Sequence, residues 1–116
     1  MVALSSSDLV FAALAHPARR RMLDLLVQMP GASVAAVASH FEISRIAVMK
    51  HLAKLAAAQL VISEKVGRTR RLYFNAVPIQ QIYDRWTDQY SSFWAGRITD
   101  IQARVEGRAE QRKKHA

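Results

Sequence analysis

The sequence predicts a mainly α-helical fold with a small β-hairpin, in the order helix, helix, helix, helix, strand, strand, helix. Two observations carry this prediction. Apolar residues recur at spacings of three and four along most of the chain, which is typical of helices that bury one face. The stretch of residues 60–76 is instead rich in β-branched and aromatic residues around a glycine, which is typical of a hairpin.

Length and composition predict one compact domain. The chain has 116 residues, 51% of them hydrophobic, and no long uninterrupted apolar run that could span a membrane. It has no cysteine, and its start, MVALSSSDL, lacks a signal peptide, so we expect a cytoplasmic protein without disulfides. The 17 Lys and Arg against 9 Asp and Glu give a net charge of +8, which suits polyanions: nucleic acid first, anionic lipid second.

The first half of the chain predicts four helices, each with a recognisable start. Ser5, followed by Asp8 three residues later, forms a capping-box-like pair, and Pro17 suits the first position of a second helix. Ser33 and Ser44 are candidate N-caps for a third and a fourth helix, which a tight turn separates. Two short helices joined by about three residues form a helix-turn-helix arrangement.

The second half predicts the hairpin and one long helix. Residues 66–69, VGRT, supply the glycine that the hairpin bend needs. From Pro78 the apolar spacing continues for about 27 residues, or roughly 40 Å of helix, which exceeds what a small domain needs to cover itself. We therefore expect this stripe to pack against a second copy. Gly107 is expected to end the helix, so that residues 1–106 form a single domain and residues 107–116 a basic flexible tail.

The helix that follows Ser44 has an unusual outer face. The apolar residues at core spacing predict which side is buried, and the opposite side then carries Ile46, Met49 and Lys50. The major groove of DNA admits a helix, and thymine methyl groups there offer apolar contacts, so Ile46 and Met49 are suited to reading bases. The alternative is that both side chains pack on a neighbouring loop.

Three segments together resemble the ArsR/SmtB family of bacterial transcriptional repressors. They are LAHPARRRMLDLL, ISRIAVMKHLAKLAAAQLV and GRTRRLYF, and the likeness spans nearly the whole chain, residues 8–105. The resemblance implies a winged helix-turn-helix fold, α-α-α-α-β-β-α, with a long C-terminal dimerisation helix. It also implies a homodimeric repressor that binds a palindromic operator in double-stranded DNA through the second helix of the motif and the hairpin wing.

The candidate DNA-binding residues lie on that helix and on the wing. They are Ser44, Arg45, Ile46, Met49, Lys50, His51, Lys54, Arg68 and Arg70. Lys50 or Arg45 is suited to guanine or phosphate, and Arg68 at the hairpin tip to the DNA backbone or the minor groove. His51 either contacts phosphate or caps the edge of the core, and Arg68 has the alternative role of a charged strand edge. Of the arginines at 19–21, we expect one to contact phosphate.

The candidate dimer interface combines the first helix with the aromatic stripe of the long helix. Its residues are Leu9, Tyr83, Trp86, Tyr90, Phe93, Trp94, Ile98 and Ile101. The dense aromatic set is either interface core or a pocket for a small, flat apolar effector near Trp86, Tyr90 and Trp94. An alternative function remains open: a winged-helix protein-interaction module that docks through this helix.

Metal sensing and catalysis are not expected. The resemblance implies that soft-metal sensors carry paired cysteines in the third helix, where this chain has SVAAVASHF, and that zinc sensors use Asp and His between the long helices. The long helix here has no histidine before His115, so we expect no metal site and no cofactor. No cysteine nucleophile, Gly-rich phosphate loop or His–carboxylate pair at useful helical spacing appears, so we expect no enzyme.

Overall fold

The computed structural model describes residues 5–87 and 91–115, apart from the side chains of residues 91–94, 114 and 115. Within them the fold is mainly helical, with a single two-stranded antiparallel sheet. The elements are α1 Ser6–Leu14, α2 Pro17–Gln28, α3 Val34–Ala38, α4 Arg45–Ala57, β1 Val61–Val66, β2 Thr69–Phe74, α5 Val77–Thr87 and α6 Ser91–His115. The predicted fold class is confirmed.

The predicted caps begin three of the helices. The Oγ atoms of Ser5, Ser33 and Ser44 accept hydrogen bonds from the backbone N–H three residues later, at 3.2, 3.1 and 3.1 Å respectively. Pro17 occupies the start of α2, where a missing N–H costs nothing, and Nδ1 of His16 accepts from the N–H of Ala18. These local signals fix where α1 to α4 begin.

The core lies among α2, α3, α4 and the base of the hairpin. The largest side chains with less than 2% of their surface exposed are Met22, Leu26, Leu55, Leu60, Val37 and Val48. Full burial of an aliphatic side chain of this size contributes about 1.5–3 kcal/mol. Since α4 places Val48 and Leu55 in this core, its opposite face must point outward.

The hairpin forms a short wing. β1 and β2 pair from Val61 opposite Phe74 to Val66 opposite Thr69, and Gly67 takes the positive φ of 62° at the bend. Gly67 and Arg68 form the two-residue tip, a loop length that favours glycine at the first position. At the other end of β2, Leu72 forms a bridge with Ala32, which ties the wing to the loop after α2.

Backbone hydrogen bonds fix the wing relative to α4. The helix ends in a turn in which Gln59 adopts a φ of 65° and the N–H of Leu60 donates to the carbonyl of Leu55 at 2.9 Å. Asn75, just after β2, donates through Nδ2 to the carbonyl of Gln59 at 2.8 Å and through its N–H to that of Leu60 at 2.9 Å. Both strands of the wing are thereby anchored at the end of α4.

The C-terminal part differs from the sequence prediction at Gly107. The sequence predicts one helix from Pro78, and the structure describes helix on either side of residues 88–90, as α5 and α6, while those three residues lie outside the described residues. Gly107 does not end a helix, because a single glycine costs only about 1 kcal/mol and its charged neighbours are good helix formers.

The contacts divide the chain into two compact units, one up to Gln81 and one from Ile82, and the division falls within α5. Among the described residues, no helix combines the length and the apolar composition that crossing a membrane requires.

Candidate nucleic-acid interface

The outer face of α4 exposes two large apolar side chains beside a lysine. Ile46 is 67% exposed and Met49 52% exposed, while Val48 between them is fully buried. Lys50 is also exposed. The major groove offers apolar thymine methyl groups, hydrogen-bond acceptors and flanking phosphates, which is the combination that this face can contact. The placement of these three side chains agrees with the sequence prediction.

The start of α4 combines features that suit contact with a phosphate. Ser44 and Arg45 are both exposed there, and Ser44 Oγ accepts the N–H of Ala47. The remaining N–H groups of the first turn carry part of the positive end of the helix dipole, which favours an anion. Arg45 lies beside them and adds a full charge.

The wing presents its arginines in different directions. Arg68 is exposed at the tip. Arg70 lies opposite Lys65 and donates through Nη1 to Ser63 Oγ at 3.0 Å, on the same face of the hairpin as the buried Leu72. Arg71 lies on the other face. Of the two candidate DNA contacts on the wing, Arg70 is therefore bonded to a strand neighbour. None of the described hydrogen bonds joins Arg68 to one.

His51 lies on the flank of α4 that faces α1 and α2, and Lys54, about 40° from Lys50 around the helix, lies between that flank and the outer face. His51 is half-buried, its Nδ1 lies 3.2 Å from Arg19 Nη1, and its ring centroid lies 4.5 Å from that of His16. Lys54 is exposed and lines a cavity together with residues of α1 and α2. For His51 this position supports the role of capping the core edge rather than contacting phosphate.

The pKa of His51 is lowered. Burial is the main cause, and the positive charges of His16, Arg19 and Lys54 lower it further. A guanidinium always donates, so Nδ1 of His51 must accept the bond from Arg19, and this bond requires the neutral imidazole. The cluster therefore favours the uncharged form of His51.

We expect acid to destabilise the protein through His51. Because its folded-state pKa lies below the unfolded value of about 6.5, the unfolded chain binds more protons between the two values. The contribution of His51 to the free energy of unfolding is fully present above a pH of about 6.5. It is lost as the pH falls from there through the lowered pKa. Urea unfolding of the wild type and of His51→Gln at a series of pH values measures this, and the loss should be smaller in the variant.

The control for this measurement is His40→Gln, which changes an exposed histidine away from the cluster. A decline with falling pH that has the same size in wild type and in His51→Gln would contradict the assignment.

The three consecutive arginines of α2 bond to carbonyls at helix ends, which the sequence did not reveal. Arg19, only 8% exposed, donates through Nε to the carbonyl of Ala13 at 2.7 Å and through Nη2 to that of Ala12 at 3.1 Å. Arg20 donates to the carbonyl of Leu14, and Arg21 to that of His40. Arg19 and Arg20 thus satisfy carbonyls at the end of α1, and Arg21 satisfies one in the turn after α3. No described contact marks one of them for a phosphate.

A signal for Arg19 was present in the sequence. It lies three and seven residues before Met22 and Leu26, on the buried stripe of α2. An arginine on such a stripe must find acceptors, because a buried guanidinium without them is strongly disfavoured.

The candidate dimer residues fall into three groups. Leu9 is half-buried and lines the cavity between α1, α2 and α4. Four residues of α5 and α6 are exposed: Tyr83, Trp86, Ile98 and Ile101. Tyr90 and the side chains of Phe93 and Trp94 lie outside the described residues. The exposed residues leave an apolar surface on each of the two helices.

Comparison with known proteins identifies the family. A helix-turn-helix domain family matches residues 14–64. An ArsR-like transcriptional regulator from Rhodococcus sp. RHA1 is 30% identical, with a TM-score of 0.67 and coverage of 88% of this chain and 92% of that chain. The chain belongs to the ArsR/SmtB family. The protein is thus a DNA-binding transcriptional regulator and not an enzyme.

Two further solved structures resemble this regulator. NolR from Sinorhizobium fredii is 26% identical, with a TM-score of 0.58 and coverage of 78% of this chain and 98% of that chain. HlyU from Vibrio cholerae is 24% identical, with a TM-score of 0.57 and coverage of 73% of this chain and 91% of that chain, and it supports the fold alone. No curated protein sequence matches the chain.

Proposed function

We propose that the protein is a homodimeric repressor that binds a palindromic operator through α4 and the wing. The observation that carries the proposal is the exposed outer face of α4, where Ile46 and Met49 lie beside Lys50 on a helix whose other face is buried. Exposure to water does not favour these apolar side chains, whereas the thymine methyl groups of the major groove offer them apolar contacts. The net charge of +8 adds an attraction for any DNA.

The proposed dimer rests on the exposed apolar residues of α5 and α6. Trp86 is 68% exposed and Ile98 54% exposed. An aromatic and aliphatic surface of this kind is typical of the core of an interface between subunits. A two-fold dimer would present two copies of α4, so the bound DNA should have two inverted half-sites about one helical turn apart.

Selection of bound DNA from a random pool tests the proposal. The expected result is a palindromic sequence whose affinity falls steeply with salt, because each neutralised phosphate releases a counterion. Enrichment of a non-palindromic site would contradict the dimeric mode. If binding to a partner instead hardly changed with salt, the result would favour the alternative function, a protein-interaction module that docks through its aromatic helices.

We expect zinc, cadmium and arsenite at micromolar concentrations to leave the protein on its operator. Among the described residues, no group of three or more His, Cys, Asp or Glu side chains is placed to hold a metal ion. The chain also has no cysteine for soft metals. Titration of the complex with each metal, followed by fluorescence anisotropy of labelled DNA, measures this. Release by stoichiometric zinc would contradict the expectation and point to ligands shared between two subunits.

A further inference from the structure

We propose that the cavity between α1, α2 and α4 is a binding site for a small carboxylate with an apolar body. The cavity has a volume of about 220 Å³. Its walls are formed by Leu9, Ala12, Ala13, Arg19, Lys54 and Ala57. It therefore combines four apolar residues with two basic ones, and none of the described acidic residues lines it.

Arg19 supplies the first reason to expect an anion. Its side chain is more than nine-tenths buried, and its described hydrogen bonds go to the carbonyls of Ala12 and Ala13 and to His51, with none to a carboxylate. A buried guanidinium is normally paired with an acidic group. These bonds use three of the five N–H donors of a guanidinium, which leaves two for a ligand.

The charge around the cavity gives the second reason. Arg19 and Lys54 bring two positive charges to its wall. The C-terminal ends of α1 and α4 also contribute to the wall, and each helix end carries about half a negative charge. The balance leaves an excess of about one positive charge. One carboxylate neutralises this excess, and a planar carboxylate matches the geometry of a guanidinium.

The size and the apolar wall define the rest of the ligand. An engineered apolar cavity of about 150 Å³ holds benzene, so this cavity can hold one ring together with a carboxylate. Ligand sites typically combine an apolar lining with a few polar groups that fix orientation. Here Leu9 and the three alanines would contact the ring, while Arg19 and Lys54 would bind the carboxylate.

The site lies beside α4, the helix proposed to bind DNA. Arg19 contacts His51 of α4, and Lys54 belongs to α4 itself. Any effect of the ligand on DNA binding rests on the proposed role of α4. Binding of the carboxylate to the free protein does not depend on that role.

Calorimetric titration of the full chain with benzoate and with benzyl alcohol tests the site. We expect benzoate to bind once per chain and benzyl alcohol, which has the same ring without the charge, to bind at least about tenfold more weakly, because hydrogen bonds to charged groups are the stronger ones. Lys54→Met, which keeps the alkyl stem, should weaken benzoate by about tenfold. Lys65→Met on the wing is the charge-matched control and should bind benzoate as the wild type does.

A second pair of variants tests the position of the ring. Ala57→Leu places a larger side chain in the wall of the cavity and should abolish benzoate binding, while Ala56→Leu changes an exposed neighbour that does not line it. Circular dichroism confirms that each variant is folded. Binding that survives Ala57→Leu, equal binding of benzyl alcohol, or no saturable binding of either benzoate or 3-methylbutanoate would overturn the proposal. DNA binding of the wild type is measured in a separate experiment without benzoate. A failure of the proposed DNA-binding function is thereby distinguished from a failure of the carboxylate site.

Discussion

Replacement of Ile98 by aspartate is expected to convert the protein into a folded monomer. In the single chain Ile98 is 54% exposed, so the carboxylate of an aspartate there stays hydrated and the fold is retained. In the proposed dimer the same position is buried, and an unpaired buried charge costs about 3–5 kcal/mol. At about 1.4 kcal/mol for each factor of ten, the dimer should dissociate at least about a hundredfold more readily. Sedimentation equilibrium measures the change.

Ala103→Asp is the matched control for this experiment. Ala103 is exposed on α6 and lies five residues after Ile98, about 140° away around the helix. The same charge at this position should leave the dimer intact. A dimer of unchanged strength in Ile98→Asp would remove this stripe from the interface, and monomers in both variants would show that α6 itself is disturbed.

The parts of the fold that the sequence predicted are those that depend on local chemistry. Ser5, Ser33 and Ser44 cap helices because a side-chain oxygen can reach the N–H three residues later, and no tertiary contact is needed for that. The outer face of α4 follows equally directly. Once Val48 and Leu55 are buried, the 3.6-residue period leaves Ile46 and Met49 on the other side.

The parts that the sequence did not predict depend on contacts between distant segments. His51 lies at the edge of the buried stripe of α4, where the helical period does not decide between core and solvent, and only the approach of Arg19 and His16 decides it. The guanidinium of Arg19 can be buried because the end of α1 provides the carbonyls of Ala12 and Ala13 as hydrogen-bond acceptors.

The DNA-reading role of α4 predicts a clear separation between two classes of contact. Lys50→Ala and Arg45→Ala should each weaken binding to the selected operator by about 1–3 kcal/mol, with a much smaller loss on random DNA, if these side chains contact bases. Arg68→Ala should weaken binding to both DNAs alike and reduce the salt slope by about one, because a phosphate contact carries no sequence information. Fluorescence anisotropy at several salt concentrations measures both effects.

The control for these variants is Arg71→Ala, which removes the same charge from the wing but from a strand position opposite Glu64 instead of the tip. Its loss on either DNA should be smaller than that of Arg68→Ala, since only a direct phosphate contact releases a counterion at close range. Equal losses on operator and random DNA for Lys50, Arg45 and Arg68 would mean that α4 contributes charge alone. The apolar side chains of Ile46 and Met49 would then need another partner, and the reading helix would lie elsewhere in the protein.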